Sequence, residues 1–317
     1  MGRYILRRLV QSVLVLLAMS FVIYNLIGLM PGDPIDTMVA SNPGATPEVV
    51  AHLRAIYGLD QPLLLRYWHW LLDALHGDFG FSRVHSQPVL EVLGPALWQT
   101  CQLIFLSFTL AVILSFVLGI VAALRPGGIV DSLVSLFAFA GISVPVFWLA
   151  LMMILVFAVQ LHWFPASGIA TVGDGGFVDR LRHLTMPVIT LALANTGGFT
   201  RFVRASMIET LRNDFVRTAR AKGAGERRVV LVHAFRNALI PVVTVMALNF
   251  GSLFGGALLT ETMYAQPGMG KMIYDSILGN DYNLALTGLL FATLVTLISN
   301  LGADLAYGWL DPRITLK

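Results

Sequence analysis

The chain is poor in the features that most soluble enzymes carry. It has one cysteine, Cys101, so no disulfide can close within it and nothing follows about redox compartment. Charged residues make up 12% of it, about half the usual share of a globular domain. With 56% hydrophobic residues and a mean hydropathy of +0.75, too little polar surface is left to cover a water-soluble body. No Gly-x-Ser-x-Gly, no His-Glu-x-x-His and no Gly-x4-Gly-Lys-Ser/Thr phosphate loop occurs, and Gly268-Met-Gly-Lys271 is too short to be one. No catalytic residues are expected, and no ATP hydrolysis by this chain itself. Cations are not interleaved with aromatics as in a nucleic-acid groove, and there is no internal repeat or low-complexity tract.

What the sequence has instead is long uncharged windows. Leu9–Met30, Val92–Leu124, Ser132–Gly173, His183–Thr200, Asn237–Thr260 and Tyr282–Ala303 contain no Asp, Glu, Lys or Arg. A spanning helix needs about 20 apolar residues, so the reading is an all-α integral membrane protein with six transmembrane helices. Ser132–Gly173 exceeds one span, but Pro145 interrupts it, which suggests a short helix leading into a single crossing. The start, with Arg3, Arg7 and Arg8 before an apolar run, resembles a secretory signal; the run is too long for a cleavable core, so an uncleaved first span is expected. With the N-terminus in the cytoplasm, fifteen of the 21 Lys and Arg fall on inner segments, nine of them between Arg201 and Arg236. That bias puts both termini inside.

Between the first two spans lies an outer segment, about Pro31 to Gly94, that reads as two amphipathic helices around Gly58-Leu-Asp-Gln-Pro62. The second places Leu64, Tyr67, Trp68, Leu71, Leu72 and Leu75 on one stripe. Another outer hairpin follows Thr260-Glu261. His52, His69, His76 and His85 share the first outer segment, but no His-x3-His or cysteine partner accompanies them, so no metal site is expected. Four residues of the fifth span and outer hairpin are candidates for a translocation path: Asn249, Ser252, Gly255 and Glu261. Asn249 and Ser252 are polar at membrane depth and suit either a wet path or a bond to a neighbouring helix; Gly251, Gly255 and Gly256 also suit close helix packing.

One stretch is out of character. VRTARAKGAGERR, residues 216–228, packs five basic side chains into an oily chain and carries two glycines. Burying residues 201–236 in lipid would place nine cations in hydrocarbon, at roughly 20–30 kcal/mol, so the segment lies outside the bilayer. Ile208, Leu211, Phe215, Ala219 and Lys222 recur at helical spacing, and Gly223 and Gly225 permit a turn into a second helix. Small side chains at Ala219, Ala221 and Ala224 let a partner approach closely, and Arg217 and Arg220 can fix register. Docking to a partner and anchoring to anionic lipid fit this pattern equally well.

The stretch VRTARAKGAGERRVVLVHAFRNALIP resembles the cytoplasmic coupling loop of binding-protein-dependent ABC importers of the peptide/nickel branch, in particular the B-type permease of dipeptide and oligopeptide importers. The generic motif opens Glu-Ala-Ala with a glycine four residues on; here those places hold Arg217, Thr218, Ala219 and Gly223, so the acidic residue is missing. The resemblance continues through Pro31-Gly-Asp-Pro34, Gly58-Leu-Asp-Gln-Pro62, Gly77-Asp-Phe-Gly80, Arg204-Ala-Ser-Met207, Pro267-Gly-Met-Gly270, Asn280-Asp-Tyr282 and Asp311-Pro-Arg313. It implies a type I importer permease fold: residues 1–94 a first span plus periplasmic segment, 95–310 the transmembrane domain with its coupling loop at 201–236, and 311–317 a cytoplasmic tail.

It also implies that Phe215, Arg217, Thr218, Ala219, Arg220, Ala221, Lys222, Gly223, Ala224 and Gly225 seat against an ATPase. Implied partners are a homologous second permease, two cytoplasmic ATPase domains that bind the ATP and magnesium, and a periplasmic or lipid-anchored substrate-binding protein, all at a bacterial inner membrane. The cargo implied is di- or oligopeptide, with nickel, haem, glutathione or opine-like compounds as alternatives. An ion-coupled secondary transporter would want inverted repeats and buried charges, and a membrane hydrolase a nucleophile and base; neither pattern is clear in the sequence.

Overall fold

The computed structural model describes residues 2–29, 46, 48–50, 61–251 and 253–310. Its helices are α1 (Gly2–Gly28), α2 (Leu63–Leu75), α3 (Val89–Leu124), α4 (Ile129–Ser143), α5 (Val146–Gln160), α6 (Phe177–Leu211), α7 (Asp214–Ala221), α8 (Glu226–Phe250), α9 (Leu253–Met263), α10 (Met269–Leu278) and α11 (Tyr282–Leu310). A two-residue antiparallel ladder pairs β1 (Phe81–Ser82) with β2 (Gln87–Pro88). The first of the two expected outer helices falls largely outside the described residues.

Among the described residues, four helices are long and apolar enough to cross a bilayer: Tyr4–Gly28, Val89–Leu124, Glu226–Phe250 and Tyr282–Gly302. The pair α4–α5, bent by 104° at Ser143–Pro145, counts as a fifth when taken as one broken span. Pro145 caps α5 in extended conformation and disfavours helix at the residue before it, which is why the expected long window breaks there. The six crossings expected from the sequence are not reached by this measure. Residues 183–200, expected as a span, form the middle of the 35-residue α6, whose composition is more polar than that of α3 or α4. The reason is burial. Fourteen α6 side chains are enclosed, among them Thr190, Thr196 and Thr200, so this helix meets other helices rather than lipid and can afford hydroxyls.

The chain divides into two compact units, residues 99–270 with 295 onward, and residues 2–98 with 271–294. In the first, α6 is the hub. It packs on α4 and α8, and a Cβ at Gly197 would stand 2.4 Å from the Ala138 carbonyl oxygen, a backbone approach that only glycine allows. Asp131, near the start of α4, takes a fork of hydrogen bonds from Arg204 of α6 and a third from the Gly127 N–H at 2.7 Å. The core joining α3, α6, α7 and α8 packs alanines and valines around a methionine: Ala111, Val203, Met207, Val216, Val229 and Ala234.

The second unit is organised around α1 and the start of α11, where Ile23, Ile27, Ala285, Leu286 and Leu290 cluster. Asp281 ties the β1–β2 hairpin to this unit. Its carboxylate accepts from Ser82 Oγ and from the Val84 N–H at 3.0 Å, and also caps the Leu284 N–H at the head of α11.

Candidate functional site

The charged stretch folds into a compact hairpin that hangs from α6. The expected continuous helical stripe from Ile208 to Lys222 is interrupted: α6 stops at Leu211, and Asn213 restarts the chain as the N-cap of α7 with φ −71° and ψ 150°. This break shifts the buried face by one residue. Val216 is fully buried, whereas Phe215, expected on the stripe, is 42% exposed. The signal was present in Arg212-Asn213-Asp214, a polar triplet with an Asn in N-cap position and an acid in the first turn.

α7 ends in a reciprocal pair of turn bonds. The Ala224 N–H reaches the Ala219 carbonyl at 3.1 Å and the Gly223 N–H reaches that of Arg220 at 2.9 Å. Gly223 sits at φ +82°, the left-handed conformation that this closure needs, and Ala219 and Ala224 pack together under it. Gly225 differs. It has φ −63° and ψ 150°, an extended N-cap geometry open to any residue. Across the turn, Arg220 Nε donates to Glu226 Oε1 at 2.8 Å and its Nη2 to Oε2 at 3.1 Å. The pairing pushes the Arg220 guanidinium further up from its ordinary value. Pattern reasoning missed this staple because Glu226 lies six residues on, across a turn rather than along a helix.

Of the ten residues expected to dock, Ala219 and Ala224 are half-buried beneath the hairpin. Phe215, Arg217, Thr218, Arg220, Ala221, Lys222, Gly223 and Gly225 are exposed. The return strand is a helix without slack: Glu226–Arg228 runs directly into residues 229–234, wound at the wider π spacing, and then into the α8 span. Val229, Val230 and Ala234 bury against the same core as Val216, so hairpin and span share one packed body. Such π segments recur at functional sites.

The candidates for a path are scattered. Asn249 is exposed, its amide donating to the Val245 carbonyl at 2.8 Å. Gly255 is exposed with open space around it, whereas Gly251 is buried and a Cβ there would stand 3.3 Å from Thr296 Cγ2. Ser252 lies outside the described residues. Glu261 is fully buried; it accepts a hydrogen bond from Thr100 and lies beneath Gly268 and Gly270. Around it, Thr100 Oγ1 accepts from the Met269 N–H at 2.7 Å, Gln99 donates to Gln266 at 2.9 Å, and Gln266 donates to the Gly168 carbonyl at 2.6 Å. Tyr264 and Thr190 share a hydroxyl contact at 2.8 Å. Beside this knot, Asp179 is held below the ordinary carboxylate range, first by the Thr171 N–H and then by its hydroxyl. Among the described residues no group of three or more His, Cys, Asp or Glu gathers at metal-binding range; His69, His76 and His85 are exposed and His52 is not described.

The long helices are apolar, and the charged hairpin between α6 and α8 is exposed. The inward-facing MetNI methionine ABC transporter has the same fold: at 18% identity its chain superposes with a TM-score of 0.57, covering 70% of this chain and 97% of that one. The family is shown by sequence. Residues 115–316 match the binding-protein-dependent transport system inner membrane component, and residues 1–96 match the N-terminal region of such membrane components; the chain belongs to this family of permease subunits. It is 38% identical to the probable peptide ABC transporter permease protein y4tP of Sinorhizobium fredii, over 99% of both chains. It is 37% identical to the glutathione transport system permease protein GsiC of Escherichia coli K12, over the whole of both.

Proposed function

We propose that this multi-pass permease forms half of the translocation path of an ATP-driven importer of short peptides and takes its motion from a separate ATPase seated on residues 213–228. The observation that carries the reading is the hairpin itself: eight exposed residues on a turn locked by Gly223, rigidly continuous with the α8 span. A load applied to that edge moves α8 with little loss, because Val216, Val229 and Val230 leave no compliant linker between them. The absence of a phosphate loop in the chain supports an external motor. The missing acid of the generic motif is offset here by Glu226, which fixes Arg220 from the opposite side of the turn.

In this reading the chain pairs with a homologous permease, two ATPase domains and an extracytoplasmic binding protein, has no cofactor of its own, and keeps both termini in the cytoplasm, as the distribution of Lys and Arg favours. The domain division expected from sequence, at residues 94 and 310, stands as part of it. Asn249, Ser252 and Gly255 are assigned to the path; Glu261 acts on it through the outer turn that it supports. Peptide as cargo rests on the naming of the y4tP relative, and glutathione, itself a tripeptide, is the second reading because GsiC is as similar over full length.

The test is a cysteine at Thr218 in a Cys101→Ser background, in membranes where the neighbouring transport genes are expressed. A bifunctional thiol reagent should join it to a nucleotide-hydrolysing subunit, and uptake of labelled dipeptide should stop on ATP depletion. A hairpin that captures no ATPase in any nucleotide state, or uptake that survives ATP depletion and fails under an uncoupler, overturns the proposal. Competition of that uptake by glutathione decides the cargo.

A further inference from the structure

Helix α2 has two apolar faces, and only one of them is used by the protein. The single stripe read from sequence divides. Leu63, Tyr67, Trp70 and Leu71 are half-buried, while Leu64, Leu65, Trp68, Leu72 and Leu75 form a second, exposed arc, with Leu75 73% and Leu64 67% accessible. At 100° per residue these five fall within one third of the helix circumference, and His69, Asp73 and His76 make a narrow polar strip beside them.

The buried face fixes the depth of α2. The Tyr67 hydroxyl lies 2.8 Å from Ser20 Oγ and 3.4 Å from the Leu17 carbonyl, and its ring meets Phe21 and Tyr24 edge-on at 5.2 and 5.5 Å. Leu63 lies against Gly28, 3.3 Å from where its Cβ would be. The α1 span becomes uncharged at Leu9, so a hydrocarbon core of about 30 Å runs to about Gly28. Ser20 is then about 12 Å below that boundary. A helix that contacts α1 from Leu17 to Gly28 sits at lipid depth, and its 13 residues are too few to cross.

We infer that α2 is not a water-exposed periplasmic helix but lies within the leaflet at the Gly28 end of α1, with its Leu64–Trp68–Leu72–Leu75 arc against lipid acyl chains. On α1 itself, Phe21, Val22 and Leu26 at the same depth are also exposed. Apart from the Trp68 indole it offers no hydrogen-bonding group, whereas a protein partner would need about one such bond per 100–200 Å² to set its register. Trp68 is the residue type that belongs at a bilayer interface, and the His69–Asp73–His76 strip faces the headgroups. This placement depends only on which end of α1 is involved, not on the proposed cargo or motor.

The test uses the full chain in native membranes with its transport partners co-expressed. Nitroxides are placed by Leu64→Cys, Trp68→Cys, Leu72→Cys, Asp73→Cys and Asp78→Cys in a Cys101→Ser background. Collision with dissolved oxygen should exceed collision with a water-soluble nickel chelate at the first three sites, and the order should reverse at Asp73 and Asp78. Nickel access at every site would make α2 a water-facing helix, and access by neither reagent at the first three would mean that a partner protein covers the arc; either result overturns the inference. A phospholipid carrying a photoactivatable acyl chain, used on the unsubstituted protein, should label residues 64–75, and a label confined to other helices counts against it equally.

Discussion

Gly223 has nothing within 4 Å of the place where a Cβ would stand, yet its φ is +82°; at Gly268 the φ is unremarkable and a Cβ would lie 2.1 Å from the Glu261 carboxyl carbon. The inner hairpin and the outer knot thus require glycine for opposite reasons, one for conformation and one for space. The difference follows from their surroundings. The hairpin stands in solvent, and its shape is held by backbone bonds, by Val216 and by an exposed ion pair. The knot is buried, and every polar group drawn into it is matched by another: Thr100 with Glu261, Gln99 with Gln266, Tyr264 with Thr190. On the proposed reading, a surface that meets another protein is kept accessible and preorganised, while a surface that holds helix ends together is packed and satisfied.

That contrast can be broken most severely at the knot. Gly268→Ala should destabilise the detergent-solubilised protein by about 3 kcal/mol, the upper end for overpacking, because the carbon collides with a carboxylate that is itself enclosed. The measurement is the thermal midpoint, and the decisive control is a double-mutant cycle with Glu261→Ala. Relief of the collision should make the pair less unstable than the sum of its parts; strict additivity would place the strain elsewhere. The next effect belongs to the Asp131–Arg204 clamp. Arg204→Ala should cost about 2 kcal/mol, below the full range for a buried pair because the Arg204 side chain is 31% exposed. Asp131→Ala should cost less, since the freed guanidinium reaches water whereas the freed carboxylate, 5% exposed, does not. An equal loss from both would contradict the asymmetry of burial.

How far the sequence reveals this arrangement depends on which physics sets each part. The span α8 begins at Glu226, eleven residues before its uncharged window, whereas α1, α3 and α11 follow directly from uncharged windows, because lipid imposes the same demand on every residue facing it. α6 does not, since its environment is protein, and protein accepts the threonines that a lipid criterion penalises. The turn at Gly223 was legible because glycine after an alanine-rich helix has few other uses, but the break at Asn213 was not, and with it the exchange of Phe215 for Val216 as the buried residue. A stripe at helical spacing assumes that one helix continues; an N-cap in its midst resets the phase. The stripe on α2 failed similarly, for it joined two faces that meet different media. At Glu261 the sequence shows that an acid exists, but not that it is buried or that Thr100, 161 residues away, comes to meet it.

The smallest effects sharpen the comparison most, because they separate glycine from glycine within one hairpin. Gly223→Val places a β-branched residue at positive φ, at about 1–2 kcal/mol or more, so the turn should open and peptide uptake fall about tenfold while the chain still inserts at normal levels. Gly223→Asn, which tolerates the left-handed region, should retain most of that uptake although asparagine is as large as many residues that fail. If valine and asparagine fail alike, bulk at the docking edge rather than backbone geometry is what the site rejects. Gly225→Ala then provides the baseline: its extended φ and ψ suit alanine and no atom stands within 4 Å, so the chain loses nothing in the folded state and its unfolded ensemble is slightly restricted. Uptake and thermal midpoint should both match the parent. A marked loss of uptake at unchanged stability would mean that the partner surface closes on the Gly225 Cα itself, and would move the point of closest approach from the Gly223 turn to the start of α8.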